Sequence, residues 1–309
     1  MKNPLERRQS LAAWCLIFAI GIGVEGAVPR SARAQSSAPG ATIGPIQLSK
    51  QPDIDAGFRL LYELKFVEAR GVFQGWEKRH PAEALGPAAE AASYLFQEFD
   101  RQGVLTSEFF LDDNRLLGGV ERAPDPQVRG AFDAAVRKAR ELAHARLNIN
   151  AKDADALFAL TIATGMLADY SSLIEKRQIE SLRLTREADT LAKNLLAVAP
   201  GAADGYVALG AANYILGCLP VYKRILIRFG GFHGDRALGM QQLALTAANG
   251  HYLRPYAKLT LGLAAMREKQ WDLARKEFGE LTAEFPGNAK FARELGKLNG
   301  AAGPAPNQR

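Results

Sequence analysis

Six side chains that could hold a charged ligand fall close together in the last third of the chain: Arg228, His233, Asp235, Arg236, His251 and Arg254. They flank two glycine-marked breaks, Gly230-Gly231 with Gly234 and then Gly250, each just ahead of an expected helix. Backbone N–H groups at a helix start attract anions, and guanidinium or imidazole groups add positive charge. The chemistry on offer is therefore small-ligand binding, or an enzymatic site at the 228–254 turns if these groups converge on a pocket. The simpler expectation is that the glycines make tight turns, Asp235 caps a helix and the histidines are exposed. No other constellation competes. HExxH, GxSxG and GxxxxGK[ST] are absent, and cysteine and histidine do not recur at zinc spacing. The stretch Gly21-Ile22-Gly23-Val24-Glu25-Gly26 has the GxGxxG form but follows no strand. Asp112-Asp113-Asn114 begins like a calcium loop and lacks the turn glycine and bidentate glutamate. The expectation is a protein that is not an enzyme, with no catalytic residues, no metal and no cofactor.

The elements that must position any site are helices. Ala, Leu, Glu, Arg and Lys dominate 53–299, with apolar residues at i, i+3, i+4 and i+7 and no useful β alternation. Within Pro255–Gly296, Gly262 is followed by Ala274, Phe278 and Pro286, and Leu295-Gly296 falls 34 residues after Leu261-Gly262. Gly57, Ala69, Phe73 and Pro81 repeat the same spacings of 12, 4 and 8. Gly210 is a third first-helix glycine, 52 residues before Gly262, or 34 plus an insertion of 18, and Thr161 takes that place in a weaker unit. Glycine and alanine let two helices cross closely, the phenylalanine fills the groove to the next repeat, and the proline stops the second helix. This pattern resembles the tetratricopeptide repeat (TPR). It implies an all-α fold, an antiparallel helix-pair (TPR-like) solenoid wound as a right-handed superhelix, with irregular insertions at about 100–130 and 218–250. The segment 108–130 reads as a loop with one turn of helix. In such a solenoid the first helices line a concave groove. Phe58, Tyr62, Phe158, Met166, Tyr214, Tyr256, Met266 and Arg267 take the groove-facing places and would receive a protein or peptide partner. Glu268 and Lys269 fall in the turn of the last repeat, where side chains are solvated.

Residues 1–34 read as an export signal. Lys2, Arg7 and Arg8 precede the apolar run Leu11–Val24, and Ala32-Arg33-Ala34 offers a cleavage site near Ala34. The run is too short to cross a bilayer. The expected destination is the periplasm or cell envelope. Residues 35–52 read as a flexible leader and 300–309 as a disordered tail. The whole chain has 39 basic and 33 acidic residues; removing 1–34 leaves 34 and 31, a net of +3. Without a basic run interleaved with aromatics, nucleic acid is not an expected partner. Cys218 would be the only cysteine left, which excludes an internal disulfide.

Helix 219–229 carries Leu219, Val221, Tyr222, Ile225, Leu226 and Phe229 beside Lys223, Arg224 and Arg228. The favoured reading is a short core helix whose basic side chains reach solvent; the alternative is peripheral membrane association. A Leu-Pro helix, then Phe232, Gly234 and Asp235, then Gly239 and Leu243, is similar to the C-terminal half of the Iml2/TTC39-like tetratricopeptide proteins. That resemblance covers about 80 residues and implies a helical-repeat fold without enzymatic activity. The export signal departs from it.

Overall fold

The computed structural model describes Leu48, residues 52–229 and residues 231–300. The expected export signal, nearly all of the leader and the tail beyond Gly300 lie outside these residues. The described chain is all-helical: α1 Pro52–Tyr62, α2 Phe66–Arg79, α3 Leu85–Gln102, α4 Ser107–Phe110, α5 Asp113–Gly118, α6 Pro126–Ile149, α7 Ala154–Asp169, α8 Gln178–Val198, α9 Tyr206–Cys218, α10 Val221–Phe229, α11 Arg236–Asn249, α12 Arg254–Arg267, α13 Trp271–Glu284 and α14 Ala289–Gly300. Packing follows sequence order, α1 on α2, α2 on α3, then α3 on α6, α6 on α7 and so on to α14. The result is a solenoid-like array in which α1, α3, α7, α9 and α12 are first helices and α2, α6, α8, α11 and α13 their partners. α7 continues through a π-helical turn, Tyr170–Ile174, and is long and apolar enough to cross a membrane, but 72% of that window is buried in the array.

The first and last hairpins share one local design, which explains the matched spacings. A Cβ on Gly57 would lie 2.3 Å from the Phe73 ring, and one on Gly262 would lie 2.9 Å from the Phe278 ring. Each phenylalanine thus occupies the space above the glycine of its own hairpin, not the groove to the next repeat as the spacing alone suggests. Ala69 and Ala274 are fully buried beside them. The turns also agree bond for bond: Glu63, Leu64 and Lys65 donate to the carbonyls of Arg59, Leu61 and Leu60, and Glu268, Lys269 and Gln270 to those of Ala264, Met266 and Ala265. Leu64 and Lys269 both take the left-handed conformation at φ 63° and 59°. α9 and α11 cross at a second glycine contact, where a Cβ on Gly239 would fall 2.5 Å from the backbone nitrogen of Tyr214 and one on Gly210 would fall 2.9 Å from that of Leu243.

Both irregular segments sit at the turn from a first helix to its partner. The stretch after α3 holds two short helices, α4 and α5, capped by Thr106 and Asp112, where one turn of helix was expected. α6 begins already at Pro126, with Asp125 accepting from Gln127 and Val128 N–H groups. Of the 218–250 segment only 219–235 departs from the array, because α11 is the regular partner of α9. Asp235 caps α11 as expected, accepting from the Leu238 N–H at 3.0 Å.

The open groove of a superhelix is not what these residues form, since the two ends of the array meet. Asn288 Nδ2 donates to the Tyr62 carbonyl at 2.8 Å, and the Tyr62 hydroxyl donates to the Tyr252 carbonyl at 2.9 Å. The Tyr62 ring lies 5.6 Å from that of Phe285. Lys290 pairs with Asp100, and Lys297 bonds Ser107 Oγ at 2.8 Å and Glu108 at 2.6 Å.

Candidate functional site

Five of the eight expected groove residues, Phe58, Tyr62, Phe158, Tyr214 and Tyr256, pack on aromatic rings from other parts of the chain. Phe58 packs 4.8 Å from Tyr252, Phe158 packs 5.9 Å from the same ring, and Tyr62 lies 5.9 Å from Phe96. Tyr256 meets Phe96 at 5.5 Å. Phe58, Tyr62, Phe158, Tyr214 and Met266 are buried, while Met166, Tyr256 and Arg267 are half-buried. The structure therefore corrects the reading of an open aromatic groove: apolar first-helix faces have found their partners within the chain. The 103–120 insertion completes the cover. Phe110 stacks 6.0 Å from Tyr214, Arg267 donates to the Phe110 carbonyl at 2.9 Å and pairs with Asp113, and Val120 N–H donates to the Leu173 carbonyl at 2.8 Å.

Two acids in this interior were not singled out by the sequence. Asp204 accepts the backbone N–H groups of His251, Tyr252 and Leu253 at 2.9, 3.0 and 3.1 Å, which fixes the α11–α12 turn that Phe58 and Phe158 pack against. Burial raises its pKa against these bonds. In sequence it looks like an ordinary helix-capping aspartate before Tyr206. Asp169, the last residue of α7, has no hydrogen bond or ion pair among the described residues. Its side chain is half-buried, and burial pushes its carboxyl up to about 7. Burial, then the charges of Asp169 and Tyr62, drive the Tyr256 hydroxyl far above its ordinary range.

A polar cluster closes the edge where first helices turn into their partners. Glu268 accepts from the Tyr214 hydroxyl at 3.2 Å and from Arg236 at 3.0 Å, so it is not the solvated turn residue expected. Lys269 beside it is exposed as expected. Cys218 is half-buried next to this cluster, and burial raises its thiol pKa despite Arg267 and Arg236. A thiol so placed is a poor nucleophile.

The six residues of the 228–254 turns do not converge. Asp235 is spent on capping, Arg236 on Glu268 and the Gly217 carbonyl, Arg254 on Glu284, and His251 on Asp55 at 2.8 Å. Arg228 and His233 are exposed. Among the described residues the other groups are divided among separate partners. No group of three or more His, Cys, Asp or Glu among the described residues could hold a metal ion.

α10 is the element whose surroundings differ most from expectation. Among the described residues it makes no substantial packing contact with another helix. Val221, Tyr222 and Ile225, which share one face, are 62%, 68% and 54% exposed. The reading as a core helix is therefore corrected for these three positions: Val221, Tyr222 and Ile225 face solvent, as Lys223 and Arg228 do, while Ile227 is half-buried.

These observations define a class, an all-α solenoid-like protein whose described residues include an amphipathic helix with an exposed apolar face. No protein-family model matches the chain, and no curated protein matches it.

Proposed function

We propose that this protein is a non-catalytic scaffold of the tetratricopeptide type, exported to the periplasm or cell envelope, where it works by binding a protein partner. The observation that supports this reading is the agreement of α1–α2 with α12–α13 in glycine, alanine, phenylalanine and proline positions, in the glycine–phenylalanine contact and in turn hydrogen bonds. Repeats of this kind present surfaces. Because the inner face is occupied by the chain itself, the partner meets the outer, second helices. Large apolar side chains stand in solvent there: Ile149 at the end of α6 and Ile179 at the start of α8 are 89% and 74% exposed.

Photo-crosslinking in cell envelopes tests both halves of the reading. A crosslinker at Ile149 or Ile179 is expected to capture a protein, and one at the buried Phe158 is not. Capture from Phe158 alone would mean that the interior opens to receive the partner. An N-terminus at Met1 in protein recovered from cytosol would remove the envelope assignment.

A further inference from the structure

We infer that α10 is a docking element for an anionic membrane surface, laid flat with Val221, Tyr222 and Ile225 among the lipid headgroups. The inference builds on the scaffold reading and names the surface on which that scaffold sits.

Helices exist in water by hiding an apolar stripe, and α10 does the opposite. Its sequence VYKRILIRF is strongly amphipathic, yet the face bearing Val221, Tyr222 and Ile225 is the exposed one, while Arg224 and Ile227 are half-buried. Such an outward apolar face on a nine-residue helix requires an external partner to be favourable. The helix is also an insertion. It interrupts the turn between α9 and α11, whereas the corresponding turns at 63–65 and 268–270 need only three residues.

Charge selects the occupant. Lys223, Arg224 and Arg228 make no side-chain hydrogen bond or ion pair among the described residues, in an array where many other basic residues have acidic partners. From residue 205 to residue 234 there is no Asp or Glu at all, so this segment carries +3 with nothing beside it in sequence to neutralise it. Arg228 and Arg224 lie along one edge of an apolar face with Tyr222 at its other edge, and Lys223 on the far side adds to the local charge, an arrangement that matches a layer of anionic headgroups above acyl chains. A protein groove would be expected to demand a longer run of anchors at i, i+3, i+4 and i+7 than nine residues provide.

The test is flotation of the full chain with phosphatidylglycerol–phosphatidylcholine vesicles, together with hydrogen exchange followed peptide by peptide. Exchange across 221–229 reports on α10 whatever residues 1–34 do. Anionic vesicles should slow exchange in α10 and carry the protein upward. Each cation contributes about fivefold, so affinity should fall on the order of a hundredfold in pure phosphatidylcholine or in the variant Lys223→Gln/Arg224→Gln/Arg228→Gln. The variant Val221→Ser/Tyr222→Ser/Ile225→Ser should lose the protection with little change in its urea midpoint, since more than half of each side chain stands in solvent. Ile149→Ser/Ile179→Ser should still float. The assignment is overturned if the triple serine variant floats like the parent, or if α10 exchange is unaltered by anionic vesicles. Crosslinked protein at α10 without flotation would also overturn it, in favour of a protein groove, and would leave the scaffold reading standing. Flotation intact with no protein captured at Ile149 or Ile179 would support α10 as a membrane element and sink the scaffold reading instead.

Discussion

A carboxyl enclosed at the end of α7 without a partner holds its proton at a pH where solvated aspartates have lost theirs. Asp169 is raised from 3.8 to about 7 by burial. A folded-state pKa above the unfolded one means that stability is greatest below about pH 4 as far as this group is concerned, and is lost as pH rises through 7. Asp169→Asn should therefore stabilise the protein above pH 7 by roughly 1–3 kcal/mol, allowing for the water that still reaches the carboxyl, and flatten the pH dependence between about 4 and 7. Urea melts of both proteins at pH 4, 6 and 8 measure this, and equal gaps at all three would show that the aspartate is not carrying the term. Two neighbours in one turn give a paired prediction. Glu268→Ala removes the carboxylate acceptor of the Tyr214 hydroxyl and Arg236, leaving them only the Ala264 and Gly217 carbonyls, and should cost about 1 kcal/mol. Lys269→Gly relieves a left-handed lysine at φ 59° and should stabilise by about 0.5–1 kcal/mol.

At the scale of the helix, glycines that look alike in sequence separate by what stands over them. Gly262→Leu drives a side chain into the Phe278 ring, and Ala274→Leu overfills a fully buried crossing, so each should cost roughly 1–3 kcal/mol. Gly279, on α13 one residue after Phe278, has open space where its Cβ would go; Gly279→Ala should stabilise by about 0.5–1 kcal/mol through helix propensity. Opposite shifts of the urea midpoint check the pair. The Gly262–Phe278 register was readable because its spacing recurs at Gly57–Phe73. The helix boundaries around α10 and α11 were readable from Pro220, the glycines and Asp235. The direction α10 faces was not. Amphipathicity states that a helix has an apolar side, and only the surrounding packing decides whether that side is covered. α4 and α5 were missed because four- and six-residue helices leave no periodicity to read, and their caps, Thr106 and Asp112, are common loop residues.

Across the whole array, closure was illegible for a related reason. Tyr62, Phe158 and Tyr256 have the residue types that either line a peptide groove or seal an interior, and nothing within one repeat tells the two apart. What decides is a set of contacts spanning about 190 to 226 positions of sequence, such as Asn288 to Tyr62 and Tyr62 to Tyr252. An open solenoid frays from its ends, because each terminal repeat has only one neighbour. Here α1 is held by the α11–α12 turn and the residues before α14, so its amides should exchange nearly as slowly as those of α7. The variant Asn288→Ala removes the donor to the Tyr62 carbonyl from a buried site. It should speed exchange in α1 and α14 together, by about tenfold for a loss of about 1.4 kcal/mol, and leave the interior of α7 unchanged. Loss of protection in α14 alone would show that each end is stabilised only by its own neighbour, and the array would then behave as an open solenoid.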